Sequence, residues 1–242
     1  MRKSIKEVRQ KFHLKTGEPH SHAGALFKEF ILGGQDGLVN VLGVILGIAI
    51  ATNSTRLVLI AGLAAAFAES FSMAAVAFTS AKAEEDYYNG QKEKELFEIE
   101  NLPQVETREI EDIFYKKGFR GKILNDIIKH VTSNKKIWLN IMMTDELGLS
   151  NAFINPTKSA IVVGLAAIIG SIIPLFTFFF LPIGAAIIWS IIISAIALFI
   201  TGAIEAKINA AGWIKKGFQL MIIGMAAALI GFAVGKFLGV SV

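Results

Sequence analysis

The middle of the chain carries seven side chains of the types that bind divalent transition metals. Two Glu-x-x-Glu pairs flank Leu102-Pro103, and a Met-Met-x-x-Glu group follows them. At helical spacing the members of each pair share one face, and a turn at Leu102-Pro103 would bring the pairs together. Four converging carboxylates repel one another unless cations lie between them. The residues are Glu95, Glu98, Glu106, Glu109, Met142, Met143 and Glu146. The pattern indicates metal binding, against the alternative that each acidic pair is simply a solvated helix face.

Two further carboxylates lie inside apolar stretches of the sequence. Asp36 is in a Gly-Gly-Gln-Asp-Gly segment, and Glu69 precedes Met73 by four positions. A carboxylate in hydrocarbon costs about 2.5–3.5 kcal/mol, and burial disfavours its charged form unless a cation compensates. Such a group holds a proton or a cation, which is the basis of proton–metal exchange. A methionine thioether beside it would favour transition metals over magnesium or calcium. The alternatives are that Asp36 reaches the membrane interface and that Met73 only packs.

The composition and the placement of charge exclude several classes of protein. The chain has 242 residues, of which 53% are hydrophobic and 18% charged, whereas soluble domains are about 25% charged. Fourteen of the twenty acidic residues lie between Lys82 and Pro156. Disorder is excluded by the apolar content, and the absence of cysteine excludes disulfides and thiolate sites. These features predict a membrane protein with one charged insert.

Five apolar segments are long enough to cross a bilayer, which takes roughly 20 helical residues. We predict spans at 30–51, 57–81, 159–181, 183–204 and 217–238. The lysines and arginines concentrate on one side if the N-terminus is inside, so both the N-terminus and the insert are predicted to be cytoplasmic. Residues 1–14 can form a basic amphipathic helix on a lipid surface or a solvated tail.

The insert has the signals of short helices. The second span is predicted to continue as one long helix to Asn89-Gly90, followed by helices at 91–100, 103–116, 121–132 and 134–147, with Pro103 and Gly118 as start and stop signals. The fold class is therefore an all-α membrane protein with five transmembrane helices and a cytoplasmic helical metal-binding domain between spans 2 and 3. The predicted domains are a basic segment 1–28, spans 1–2 at 29–81, the metal-binding domain 82–157, and spans 3–5 at 158–242.

Several motifs, in this order along the chain, resemble those of the vacuolar iron transporter family. The first span contains ILGGQDGLV at 31–39, the second contains AESFSMAA at 68–75, and the insert contains the two glutamate pairs, YKKGF at 115–119 and MM-x-x-ELGL at 142–149. The resemblance runs from about Glu29 to Gly239. One departure is Ala77, where many members carry an acidic residue four positions after the second-span methionine.

The resemblance implies a homodimer that exports Fe²⁺, in some members Mn²⁺, from the cytosol in exchange for protons. Asp36 and Met73 would be transport-site ligands, Glu29 would guide ions inward, and Glu69 could supply the carboxylate that Ala77 lacks. The seven side chains of the insert would bind metal in the cytoplasm. The membrane would be the cell membrane in a prokaryote and the vacuolar membrane in a eukaryote.

Other functions have less support in the sequence. No Walker-type phosphate loop, serine triad, zinc signature or Glu-x-x-His motif is present, so we predict neither an enzyme nor a prosthetic group. Nucleic-acid binding is disfavoured because the insert is net acidic. Two alternatives to a secondary antiporter remain open: a membrane-tethered metal buffer or sensor without transport, and a membrane-bound ferroxidase.

Overall fold

The structure is a computed structural model that describes residues 22–150, 155–208 and 212–238, and these residues form helices and turns without a strand. The chain divides into two compact units, Met1–Phe78 with Pro156–Val242 and Thr79–Asn155, and each is described by itself. The elements in chain order are α1 (His22–Thr52), α2 (Thr55–Asn101), α3 (Pro103–Lys116), α4 (Gly121–Thr132), α5 (Lys135–Ile141), the π-turn (Met142–Glu146), α6 (Pro156–Leu175), a 3₁₀ turn (Phe176–Phe179), α7 (Ile183–Ile208) and α8 (Trp213–Leu238).

Five of the helices are long and apolar enough to cross a membrane: α1, α2, α6 with its 3₁₀ turn, α7 and α8. The predicted all-α fold with five spans is therefore confirmed. The helices extend beyond the predicted apolar segments at one or both ends, except that α6 and its 3₁₀ turn end at Phe179, before the predicted end of the third span at 181. Helix α1 begins at His22 because polar residues continue the helix past its apolar part. The predicted amphipathic helix at 1–14 lies outside the described residues.

Glycines set the close packing of α1 in the membrane unit. Helix α1 contacts α6, α7 and α8, and its contact with α6 is close enough that a Cβ at Gly170 would fall on the carbonyl oxygen of Gly34. A Cβ at Gly37 would likewise overlap the carbonyl oxygen of Ala167. Small residues let helix backbones approach in this way. The contact fixes the turn of α1 that carries Asp36.

Side-chain hydroxyl groups donate hydrogen bonds to backbone carbonyl oxygens near Pro174, where α6 ends. Pro174 lies inside the last turn of α6, and the following residues tighten into the 3₁₀ turn. Ser190 Oγ donates to the carbonyl oxygen of Pro174 at 2.8 Å, and Thr177 Oγ1 donates to that of Ala186 at 3.0 Å. Backbone groups at membrane depth need such internal partners.

Helix α2 does not end at Asn89-Gly90, so that part of the prediction was wrong. It runs for 47 residues, from Thr55 to Asn101. A glycine inside a helix costs only about 1 kcal/mol relative to alanine, and ion pairs one turn apart support the helix on both sides of Gly90. They join Lys82 to Glu85 and Asp86, and Lys94 to Glu98.

The second unit is built from short helices. Two of them, α3 and α4, have the predicted boundaries. Helix α3 has Pro103 in its first turn, and Gly118 follows it with φ of +97°, a conformation that favours glycine. Asn134 caps α5 by accepting from the backbone of Lys136 and Ile137. The helix predicted at 134–147 is interrupted, since α5 ends at Ile141 and the π-turn follows. The core of the unit contains Ile99, Ile110, Val131, Trp138 and Met142.

Candidate functional site

The corner between α2 and α3 brings the two glutamate pairs into one electrostatic cluster. Leu102 links the helices, because its N–H donates to the carbonyl of Glu98 and its own carbonyl accepts from the N–H of Glu106. Glu95 and Glu106 are each only 3% exposed, although both are ionisable. Charged residues are almost never this buried without a partner. We call the five carboxylates that interact here the glutamate cluster; its members are Glu95, Glu98, Glu106, Glu109 and Glu146.

Burial and mutual repulsion raise the pKa values of three members of the cluster. Burial, and after it the charges of the other glutamates, raises the pKa of Glu106 to about 7. Partial desolvation, and after it the charges of Glu109 and Glu95, raises the pKa of the more exposed Glu146 to about 6, while Lys94 opposes the shift. The pKa of Glu95 is also raised, by burial first and then by the charge of Glu98. Near neutral pH the cluster therefore changes its charge readily, by gaining a proton or a cation.

Two buried carboxylate oxygens of the cluster have no hydrogen-bond donor. They are Glu95 Oε2 and Glu106 Oε2. A buried carboxylate oxygen that accepts no bond carries a desolvation cost, which a bound cation or proton would offset. No three carboxylate or imidazole groups in the described part of the chain already converge as a metal site. The cluster is thus a set of interacting neighbours, which would have to draw together around an ion.

The π-turn buries two consecutive methionines. Met142 and Met143 are 0% and 2% exposed, and the N–H of Leu147 donates to the carbonyl of Met142, five residues back. In an α-helix, successive side chains point about 100° apart, and here two consecutive side chains are both buried. π-turns of this kind often occur at functional sites. Met142 packs in the apolar core of its unit. Glu146, at the end of the turn, lies on the surface.

In the membrane unit the structure brings Asp36 together with Glu69. The two carboxyl groups interact with each other across the helix pair, and two bare carboxylates this close would repel. Asn40, one turn after Asp36 on α1, donates from Nδ2 to Glu69 Oε1 at 2.9 Å. These three polar side chains lie within two of the apolar, membrane-length helices. The set can hold a proton or a cation between its carboxylates.

The other two predicted transport residues lie apart from this pair. Met73 is half-buried one turn farther along α2, and within the described residues it is Glu69, not Met73, that has the polar contact with Asp36. Glu29 accepts a hydrogen bond from Ser159 Oγ at 2.7 Å, while its Oε2 is buried and has no donor. Glu29 thus retains one oxygen for an ion.

Two polar partners were not singled out from the sequence. Asn40 could have been found from its spacing, since it lies four residues after Asp36 and shares its helix face. Ser159 carries no comparable signal, because its pairing with Glu29 depends on how α1 and α6 pack. Both residues hold carboxylates that were predicted to act in transport.

The raised pKa values predict that the fold becomes more stable on acidification. In the folded chain Glu106 has a pKa of about 7, against 4.5 for an exposed glutamate, so the folded state binds more protons. Stability is then greatest below about pH 4.5 and is lost as pH rises toward 7. For the metal-free, detergent-solubilised chain we expect Tm to rise by about 2–4 °C between pH 7.5 and 5.5, as expected for about 1 kcal/mol. In Glu106→Gln this increase should shrink, and an equal increase in that variant would contradict the assignment.

Comparisons with known proteins converge on one family. The family model described as VIT family matches residues 27–236. The chain is 32% identical to vacuolar iron transporter 1 of Tulipa gesneriana over 223 residues, covering 90% of each chain. It is 30% identical to vacuolar iron transporter 1 of Arabidopsis thaliana, covering 90% of this chain and 88% of that one. It is 29% identical to the vacuolar iron transporter of Plasmodium falciparum, covering 91% of this chain and 85% of that one.

Proposed function

Because the chain belongs to the VIT family, we propose that it is a secondary transporter that exports Fe²⁺, and also Mn²⁺, from the cytosol in exchange for protons. It is an integral membrane protein by its family and its five apolar helices. In a eukaryotic cell its membrane would be the vacuolar membrane, as the names of its relatives suggest, and in a prokaryote the cell membrane. The proposal assigns it transport and no enzymatic reaction.

The observation that carries the proposal is the contact between Asp36 and Glu69 inside the membrane unit. Two carboxyl groups in hydrocarbon share a proton or bind a cation, since two bare carboxylates would repel. When a divalent ion enters, it replaces the proton; when the ion leaves on the far side, a proton returns. Metal and protons thus move in opposite directions through one pair of side chains, with the Met73 thioether one turn away favouring transition metals.

The glutamate cluster would supply this site with metal. Its members carry buried, unpaired oxygens and raised pKa values, so they exchange protons for a divalent cation near neutral pH. Met142 and Met143 add soft sulfur atoms, which favour transition metals. With lysines and arginines on the inner side of the membrane, the cluster faces the cytosol, where it binds the metal that is to be exported.

A second copy of the chain would complete the transport site. On α1, Leu32, Asn40 and Val44 are exposed in the single chain, and Asn40 is polar although it lies well inside an apolar helix. Polar groups facing hydrocarbon are costly. A two-fold partner packed on this face covers them and doubles the available ligands. We therefore propose a homodimer with the pathway between the paired first spans.

Flux measurements separate this function from its alternatives. Purified protein in liposomes is expected to take up Fe²⁺ and Mn²⁺, and uptake should increase when a pH gradient drives protons the other way. Co²⁺ and Zn²⁺ in parallel assays define the selectivity. Binding of metal without flux would favour a tethered buffer, and oxygen consumption on adding Fe²⁺ would favour a ferroxidase.

Replacing one buried member of the cluster should weaken metal capture without changing the maximal rate. Glu106→Gln removes a ligand and keeps the shape, so we expect KM for Mn²⁺ uptake to rise about tenfold, within the 10–100-fold range that follows loss of a metal-site partner, while kcat stays the same. Glu111→Gln is the matched control, because Glu111 is exposed on the same helix. A fall in kcat at unchanged KM would place Glu106 outside the capture step.

A further inference from the structure

Asn40 is joined to the membrane carboxylates by a hydrogen bond to Glu69. Its Nδ2 donates to Glu69 Oε1 at 2.9 Å, and it is four residues after Asp36 on the same face of α1. At a rise of 1.5 Å per residue, Asn40 lies about 18 Å from the end of α1 at Thr52, well inside a bilayer core of about 30 Å. The amide therefore lies at membrane depth, on a face of α1 that is exposed in the single chain.

The bond limits how Glu69 can meet an ion. A carboxylate oxygen has two lone-pair directions, so Oε1 is not removed from chemistry, but the amide fixes the orientation of the carboxylate plane. Asp36 contacts the same carboxyl group. An ion bound through both oxygens of Glu69 would have to share Oε1 with the amide of Asn40, which makes Oε1 the weaker ligand atom. The bond thereby favours binding of the ion through one oxygen of Glu69.

Metals differ in what they require of such a ligand. Ca²⁺ takes six to eight oxygens, often with carboxylates that bind through both atoms. First-row transition metals accept fewer ligands and gain more from the sulfur of a nearby methionine. We propose that Asn40 is a specificity-determining residue of the transport site, which holds Glu69 in a one-oxygen orientation and so selects transition metals over Ca²⁺. The inference rests on the transport function proposed above and adds to it the origin of its selectivity.

Competition between two ions in liposomes tests this role. Mn²⁺ uptake is measured against increasing Ca²⁺ for the wild type, Asn40→Ala, Asn40→Gln and Ile50→Ala. Ile50 is exposed near the end of α1, has no polar group and is not one of the residues assigned to the dimer face. A hydrogen bond to a charged group corresponds to about a tenfold change or more. In Asn40→Ala the Ca²⁺ concentration for half-inhibition should therefore fall about tenfold, with partial recovery in Asn40→Gln and no change in Ile50→Ala.

A purely structural role gives a different result. If Asn40→Ala lowers Mn²⁺ uptake but leaves the half-inhibiting Ca²⁺ concentration unchanged, Asn40 only supports the fold and the inference is overturned. An equal shift in Ile50→Ala overturns it as well, because truncation of any exposed side chain on α1 would then have the same effect.

Equilibrium binding separates this inference from the transport proposal. If the wild-type protein carries no metal across liposomes, the proposed function fails, and Mn²⁺ binding to the solubilised full chain decides the role of Asn40. Bound Mn²⁺ is followed by electron paramagnetic resonance, and only the portion lost in Asp36→Ala is counted. Ca²⁺ should displace that portion about tenfold more readily in Asn40→Ala than in the wild type. Equal displacement, or no Asp36-dependent Mn²⁺ at all, overturns the inference.

Discussion

Replacing Asp36 with alanine is expected to abolish metal uptake into liposomes while leaving the protein folded. Glu69 then has no second carboxyl group with which to share a proton or clamp an ion, and its remaining partner is the neutral amide of Asn40. Loss of even an outer partner of a metal ligand costs 10–100-fold, so loss of a ligand should reduce Mn²⁺ flux by at least about 100-fold. The fold should survive because removing a carboxylate from hydrocarbon relieves a cost.

The control for this variant is Asp126→Ala, which makes the same change at an exposed position on α4. Both variants should elute from a sizing column as the wild type does and have similar Tm values. Full Mn²⁺ flux in Asp36→Ala would refute the exchange mechanism. Loss of flux in Asp126→Ala as well would show that the assay reports general damage.

Replacing Gly170 with alanine is expected to lower both stability and transport, although alanine is the better helix former. A Cβ at Gly170 would overlap the carbonyl oxygen of Gly34, and backbone cannot give way as a flexible side chain can. Overpacking of this kind costs about 1–3 kcal/mol, whereas the gain in helix propensity is at most about 1 kcal/mol. Because α1 must shift away from α6, Asp36 moves relative to Glu69. We expect Mn²⁺ flux to fall by about tenfold or more and Tm to fall by several degrees.

Gly90→Ala provides the same chemical change with the opposite expectation. Gly90 lies inside α2 and a Cβ there meets no atom within 4 Å, so only the propensity gain remains. This variant should be up to about 1 kcal/mol more stable than the wild type and should transport normally. If Gly170→Ala behaved in the same way, the close contact between α1 and α6 would not be what positions Asp36.

The sequence predicted the helical fold because its main signal, apolar length, is local. Five spans follow from hydropathy, and Pro103 and Gly118 mark the ends of α3 because their backbone preferences act within one turn. The same reasoning failed at Gly90, where the residues on either side stabilise the helix more than one glycine weakens it. It also failed at Met142, since a π-turn depends on how the methionines pack in the core.

The candidate sites could be predicted only where they depend on local spacing, because contacts between distant residues cannot be read from the sequence. The Glu-x-x-Glu pairs could be proposed to converge because only a short turn separates them. The contact of Glu69 with Asp36 needs the packing of α1 beside α2, so spacing alone could not show that Glu69, and not Met73, would have the polar contact with Asp36. Asn40 shares a helix face with Asp36 but gives no sign of its partner across the helix pair. The roles of all these residues in metal binding stay predictions.

The π-turn has a consequence for how this domain could have changed during evolution. Its hydrogen bond spans five residues instead of four, as if one residue had been inserted into the helix that begins at Lys135. A single-codon deletion between Met143 and Glu146 would restore the ordinary spacing, bring Glu146 one position closer to Met142 and turn its direction in an α-helix by about 100°. Reading-frame-preserving insertions and deletions can thus retune a ligand set without altering any of its residue types.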